Sequence, residues 1–170
     1  MSDKVLRLLQ EFHKCYCERK IIVAESVTGP KLFAFKETFE AFYQLNPDSI
    51  ICVTITPDCN GVGLHQLILE ACYLKYAVAD LPKTITLARR KTWSLLQEPI
   101  GSGHIGLICV VNAENLLRTA WEELQVIEAR YRVSLLLGFS ESSCLNGKLK
   151  ANTKQLDLAS VDLEELKQVC

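Results

Sequence analysis

The chain has 170 residues, 49% apolar and 23% charged, with a formal net charge of −1. That length suffices for one domain with a substantial core, and five Pro with eight Gly are too few for a linker-rich or disordered protein. Near-neutral charge excludes a global attraction to nucleic acid or acidic membrane, and no apolar run approaches the roughly 18 residues of a membrane span.

Ser2 or Asp3 is placed to cap a first helix whose stripe is Val5, Leu8, Leu9, Phe12 and Tyr16, spaced i, i+3, i+4, i+7. Lys4, Arg7, Gln10 and Glu11 interrupt the apolar residues there, unlike the uniform apolar region of a signal peptide, so an intracellular protein of the cytoplasm or nucleus is expected. Residues 20–24 (KIIVA) read as a strand. Thr28-Gly29-Pro30 then turns into a second helix carrying Leu32, Phe35, Phe39, Phe42 and Tyr43 on one face, which must pack against a large surface. From Asn46 the chain alternates strand-like runs at 50–56 (IICVTIT), 84–88 (TITLA), 105–111 (IGLICVV, entered through Ile105-Gly106) and 133–139 (VSLLLGF) with helical runs at 64–79, 91–97 and 114–131.

Continuously apolar strands belong to a sheet buried on both faces, and their alternation with helices makes that sheet largely parallel. The predicted fold is a single α/β/α sandwich over residues 1–139, with a mostly parallel or mixed sheet of four to five strands. Ile51, Val53, Ile108, Val110, Leu135 and Leu137 are its expected core. Residues 140–170 are polar and read as a mobile tail, with a short helix expected around 160–166.

Chemistry is sparse. No Cys-x-x-Cys pair occurs among the eight cysteines, and in the cluster His13, Cys15, Cys17 only His13 and Cys17 share a helix face, so no metal site and no cofactor is expected. Gly101-x-Gly103-x-x-Gly106 has a dinucleotide-loop outline but leads into a strand, where no helix N-terminus faces a phosphate. Asn60-Gly61-Val62-Gly63 lies between a strand and a helix without the Lys or Ser/Thr of a phosphate loop. His65, beside a helix stripe, reads as a boundary residue, and no histidine has an evident nucleophile partner. Arg89-Arg90-Lys91, followed by Trp93, is the one basic run, expected just beyond a strand end where phosphates could be contacted and a base stacked.

Two resemblances add to these readings. Ala24-Glu25-Ser26-Val27-Thr28-Gly29 resembles the signature of the CinA-type nicotinamide-nucleotide amidases, which implies Ser26 as a nucleophile at a strand-to-helix turn. Pro30 stands where that family has a second Gly and removes a backbone donor. From Asn46 to Phe139 the order of elements resembles the growth-arrest-and-DNA-damage-inducible stress-response family, whose fold is shared with kink-turn RNA-binding ribosomal proteins. The matching features are the Asn46-Pro47-Asp48 opening, the helix with His65 and Cys72, the short run ending at Arg89, and the helix end Glu128-Ala129-Arg130-Tyr131. That resemblance implies a non-enzymatic regulator or complex subunit acting on protein partners, and self-association through the helix at 64–79. Leu69 and Tyr76, on the rim of that helix, are the expected partner contacts, as a homodimer or with a permanent partner. RNA binding through Arg89, Arg90 and Lys91 is the alternative in the same fold, and a degenerate amidase the third.

Overall fold

The structure, a computed structural model, describes residues 1–73, 81–97, 105–141 and 153–167. Five strands, β1 (Ile21–Glu25), β2 (Ile50–Thr54), β3 (Leu107–Val111), β4 (Ser134–Phe139) and β5 (Thr153–Gln155), form one sheet in the order β2-β3-β4-β1-β5. Every pairing is parallel. Among the described residues six helices cover it: α1 (Asp3–Cys17), α2 (Gly29–Tyr43), α3 (Gly61–Tyr73), α4 (Ile85–Gln97), α5 (Arg118–Tyr131) and α6 (Leu163–Lys167). The architecture is a three-layer α/β/α sandwich, as the alternation predicts.

Strand side chains alternate between two cores because successive Cβ atoms point to opposite faces. Ile51, Val53, Ile108, Val110, Leu135 and Leu137 join α3, α4 and α5 on one face. Ile22, Ile50, Leu107, Cys109 and Leu136 join α1, α2 and α6 on the other. All six predicted core residues are buried, and Leu107 and Ile108 are each 0% exposed, so neither sheet face is open at its centre. From β1 the chain crosses to the far edge through α2 on one face, then returns strand by strand through helices on the other, the pattern that right-handed crossovers require.

Three differences from the sequence reading stand out. The run at 84–88 is the start of α4, not a strand. Thr84 Oγ1 accepts from Leu87 N at 3.4 Å, and Ala88, Thr92 and Leu96 continue a buried stripe at i, i+4, i+8, which a five-residue apolar window cannot display. The stretch beyond Phe139, read as a mobile tail, contributes β5 on the outer side of β1 and α6 against α2. Leu156, Leu158, Val161 and Leu166 are buried there, and Thr38 Oγ1 donates to Leu166 O at 2.9 Å. Of the five aromatic and aliphatic residues expected to pack from α2, Phe42 is 37% exposed, with its ring edge-on to Tyr43. Of the two alternatives for the first cap, Ser2 accepts from Val5 N at 3.4 Å. Tyr76, Gly101, Gly103 and His104 lie outside the described residues.

Candidate functional site

In an open parallel sheet, ligands bind beyond the carboxyl ends of the strands, where successive crossovers leave to opposite faces. Here that point is the end of β1, whose helix α2 lies on the face opposite α5, which follows β3. Ser26 takes a left-handed conformation (φ 53°) directly after the strand and is exposed. Val27 turns inward to 3% exposure, with its N–H on Phe139 O at 3.1 Å. Thr28 is the N-cap of α2 without a side-chain bond, and Pro30 occupies its first turn. Gly29 lies so close to β3 that an added Cβ would sit 3.0 Å from Val111 Cγ1, and Leu32 would meet a Cβ on Gly138 at 2.7 Å. The helix start is therefore pressed onto the sheet by apolar contacts at Gly29 and Gly138.

The charges agree. Lys31, the one cation of that turn, donates to Ala159 O at 3.1 Å. The nearby cavity, about 410 Å³, is lined by Glu25, Ser26 and Asp157, a carboxylate lining that repels an anion. Glu114, after β3, accepts from the Ser140 hydroxyl and from Ser140 N at 3.4 Å. Ser26 has the strand-to-helix position that the amidase resemblance implies, yet neither described histidine reaches it. His13 stacks on Tyr43 at 4.0 Å, at the far end of α2 and roughly 20 Å from its start at 1.5 Å per residue. His65 is committed on both ring nitrogens.

That histidine is the centre of a buried polar network rather than a boundary residue. It is 0% exposed, with Nε2 2.9 Å from Glu123 Oε2 and Nδ1 2.9 Å from Thr92 Oγ1. An ionised carboxylate only accepts, so Nε2 carries the proton and Nδ1 accepts from the Thr92 hydroxyl. Burial holds the imidazole below its ordinary value, against the pull of the Glu123 hydrogen bond. Glu123 is held below the usual carboxylate range, chiefly by Arg89, whose Nε donates to Oε2 at 2.9 Å and whose Nη2 donates to Oε1. One ion pair and one neutral histidine thus join α3, α4 and α5. Through both ring nitrogens His65 ties the three helices together inside the core.

The basic run is redistributed accordingly. Arg89, Arg90 and Lys91 lie within α4 and not in a loop beyond a strand. Arg89 is bound to Glu123, Lys91 has an interaction of its own, and Arg90 is exposed. The Trp93 ring is covered by the Arg130 guanidinium at 4.1 Å, so that face cannot stack on a base. Arg90 and Arg130 together line a cavity of about 480 Å³ with Trp93, Ser94 and Gln97. Sequence reasoning missed Arg130 and Glu123. A carboxylate within the buried stripe of Ala120, Trp121, Leu124 and Ile127 was the available signal for Glu123, whereas its partner on another helix had none. Leu69, the expected partner contact, is 0% exposed within the chain, on a helix that packs against α4 and α5 as well as β2.

Among the described residues no group of three or more His, Cys, Asp or Glu gathers as metal ligands, and no helix is long and apolar enough to cross a membrane. His13 approaches Cys17 at 3.7 Å, while Cys15 is buried on another face. The chain matches no protein-family model and no curated protein. Among solved structures it is similar to a chain in the structure of Drosophila ORC bound to AT-rich DNA and Cdc6, with 15% identity and a TM-score of 0.54 over 91% of this chain and 56% of that one. A chain of Drosophila ORC bound to DNA is similar at 12% identity and a TM-score of 0.47, over 91% and 93%. The first likeness is one of fold, and this chain spans little more than half of the protein it matches.

Proposed function

We propose that this chain is a non-enzymatic, protein-binding subunit or regulator of a larger assembly. The strand-end crevice carries this reading: where a doubly wound sheet holds its ligand, Val111 and Leu32 press on Gly29 and Gly138, Pro30 removes a donor, and the adjoining cavity is lined by Glu25 and Asp157. His65, the described histidine near the sheet core, is 0% exposed between Thr92 and Glu123, which keeps a substrate from its ring. The fold likeness supports the reading in kind, since ORC in that structure is bound to DNA and to Cdc6. A stress-response adaptor of the nucleus or cytoplasm is the finer form suggested by the growth-arrest family resemblance, and self-association then needs a surface other than Leu69.

Nucleic-acid binding is the second reading, favoured by the cavity that Arg90 and Arg130 share. Size-exclusion chromatography of the tagged protein from native lysate tests the first. Co-elution with a stoichiometric protein partner, well above the 19.1 kDa of the chain, is expected. Anisotropy with duplex DNA and structured RNA tests the second, and only weak non-specific binding is expected. A competitor-resistant complex that weakens with salt and is lost in Arg90→Ala/Arg130→Ala would reverse the order, because such a loss identifies phosphate contacts. Ammonia release from nicotinamide mononucleotide, abolished in Ser26→Ala, would overturn both.

A further inference from the structure

Strand β2 forms one edge of the sheet, and Cys52 on it is the register partner of Cys109 on β3. Neighbouring strands lie about 4.7–4.9 Å apart, inside the Cα separation of roughly 4.4–6.8 Å that a disulfide spans. Residues directly opposite each other point to the same face, and both thiols lie on the side of α1, α2 and α6. The two are free thiols and share a side-chain hydrogen bond.

Their surroundings differ. Cys109 is 0% exposed. Cys52 is partly open to a groove of about 460 Å³ lined by Phe33, Lys36, Glu40 and Pro47, with Cys72 on its far wall. Lys36 and Glu40 are paired there at 3.0 Å with most of both side chains buried. We propose that Cys52 and Cys109 are a redox-modified thiol pair, in which Cys52 attacks a small hydroperoxide entering the groove and Cys109 resolves the product. The Cys109 hydrogen bond and, less strongly, Lys36 hold the Cys52 thiol below its ordinary value of 9.0 against its burial. The same hydrogen bond and burial push Cys109 well above it. Access through the groove makes Cys52 the attacking sulfur and Cys109 the buried resolving one, and the lowered Cys52 thiol favours the thiolate which that reaction requires.

The step balances. The Cys52 thiolate attacks one peroxide oxygen, the O–O bond breaks, and the leaving alkoxide takes a proton to become an alcohol, or water when the oxidant is hydrogen peroxide. The resulting sulfenic acid is attacked by the Cys109 sulfur. Its hydroxide leaves with the Cys109 proton as water, and the S–S bond forms. Two electrons pass from the two sulfurs to the peroxide. Three other described thiols are less suited. Burial raises Cys15 and Cys59 and pushes Cys72 up to about 12.

Mass-spectrometric mapping of the reduced full chain after equimolar hydrogen peroxide, followed by alkylation, tests the pair. The expected product is a peptide crosslink between Cys52 and Cys109, with both lost from the alkylated pool before the other six cysteines. Cys109→Ala should instead leave a dimedone adduct at Cys52, and Cys52→Ala should lose crosslink and adduct while Cys109 stays reduced. Lys36→Met should slow the reaction at fixed pH. Oxidation of Cys17, or of any other thiol, while Cys52 and Cys109 remain alkylated would overturn the proposal. So would a Cys52 adduct no greater in Cys109→Ala than in the unsubstituted chain. The map of the unsubstituted chain decides even if a variant does not fold.

Discussion

The two helical layers are held to one sheet by different physics. On the side of α1 and α2, aromatic rings interlock: Phe39 meets Phe12 at 4.6 Å, Tyr43 at 5.1 Å and Tyr16 at 5.7 Å. On the side of α3, α4 and α5, His65, Thr92, Glu123 and Arg89 are joined by hydrogen bonds through an otherwise apolar core. Edge-to-face rings add about 0.5–1.5 kcal/mol per pair beyond their burial and do not depend on protonation. A buried charged network adds little net stability when intact but is costly to break. The aromatic layer should therefore respond to volume, and the polar layer to protons and to unpaired groups.

The largest expected loss is on the aromatic side. Phe39→Ala removes a side chain at 0% exposure with several ring neighbours and should cost about 3–5 kcal/mol, read as a lowered urea midpoint whose shift is the same at neutral and mildly acidic pH. Next comes Glu123→Ala, which leaves Arg89 and the His65 N–H without their acceptor and should cost roughly 3 kcal/mol. The variant His65→Leu/Thr92→Val/Glu123→Met, which removes the buried polar groups together, should recover much of that loss in the same titration. If the triple variant is no better than Glu123→Ala, the distinction between the layers fails.

Acidification should sharpen the contrast. The folded chain holds His65 below its ordinary 6.5, so the unfolded chain takes up that proton first. This contribution is complete above pH 6.5 and is lost as pH falls from there towards the folded value. Glu123 lies below its ordinary 4.5, and its contribution holds above pH 4.5 and is lost as pH falls further. Unfolding titrations between pH 7.5 and 3.5 should show stability declining in that order. The first part of the decline should vanish in His65→Leu and persist in Phe39→Ala. The smallest effects should not distinguish the layers at all. Ser2→Ala and Thr84→Ala remove caps with bonds of 3.4 Å each, and each should lower the thermal midpoint by an amount equivalent to about 0.5 kcal/mol.

The sequence by itself determined the three layers and both cores. Runs such as Leu107–Val111 are apolar at every position, and only a sheet covered on both faces accommodates them. Helix spacing likewise placed α1, α2 and α5, because a stripe at i, i+3, i+4 is a local property. Tertiary structure decided the rest. Thr84–Ala88 resembles a strand until its stripe is followed to Leu96, and β5 is three polar residues whose only claim to the sheet is the free edge of β1. The assignment of Arg89 to Glu123, of Arg130 to Trp93 and of Cys52 to Cys109 joins residues 34, 37 and 57 positions apart in the chain. Local pattern reads periodicity, which the backbone imposes over a few turns. Pairing across the fold depends on strand order and helix packing, which are settled by how the whole apolar surface is buried at once.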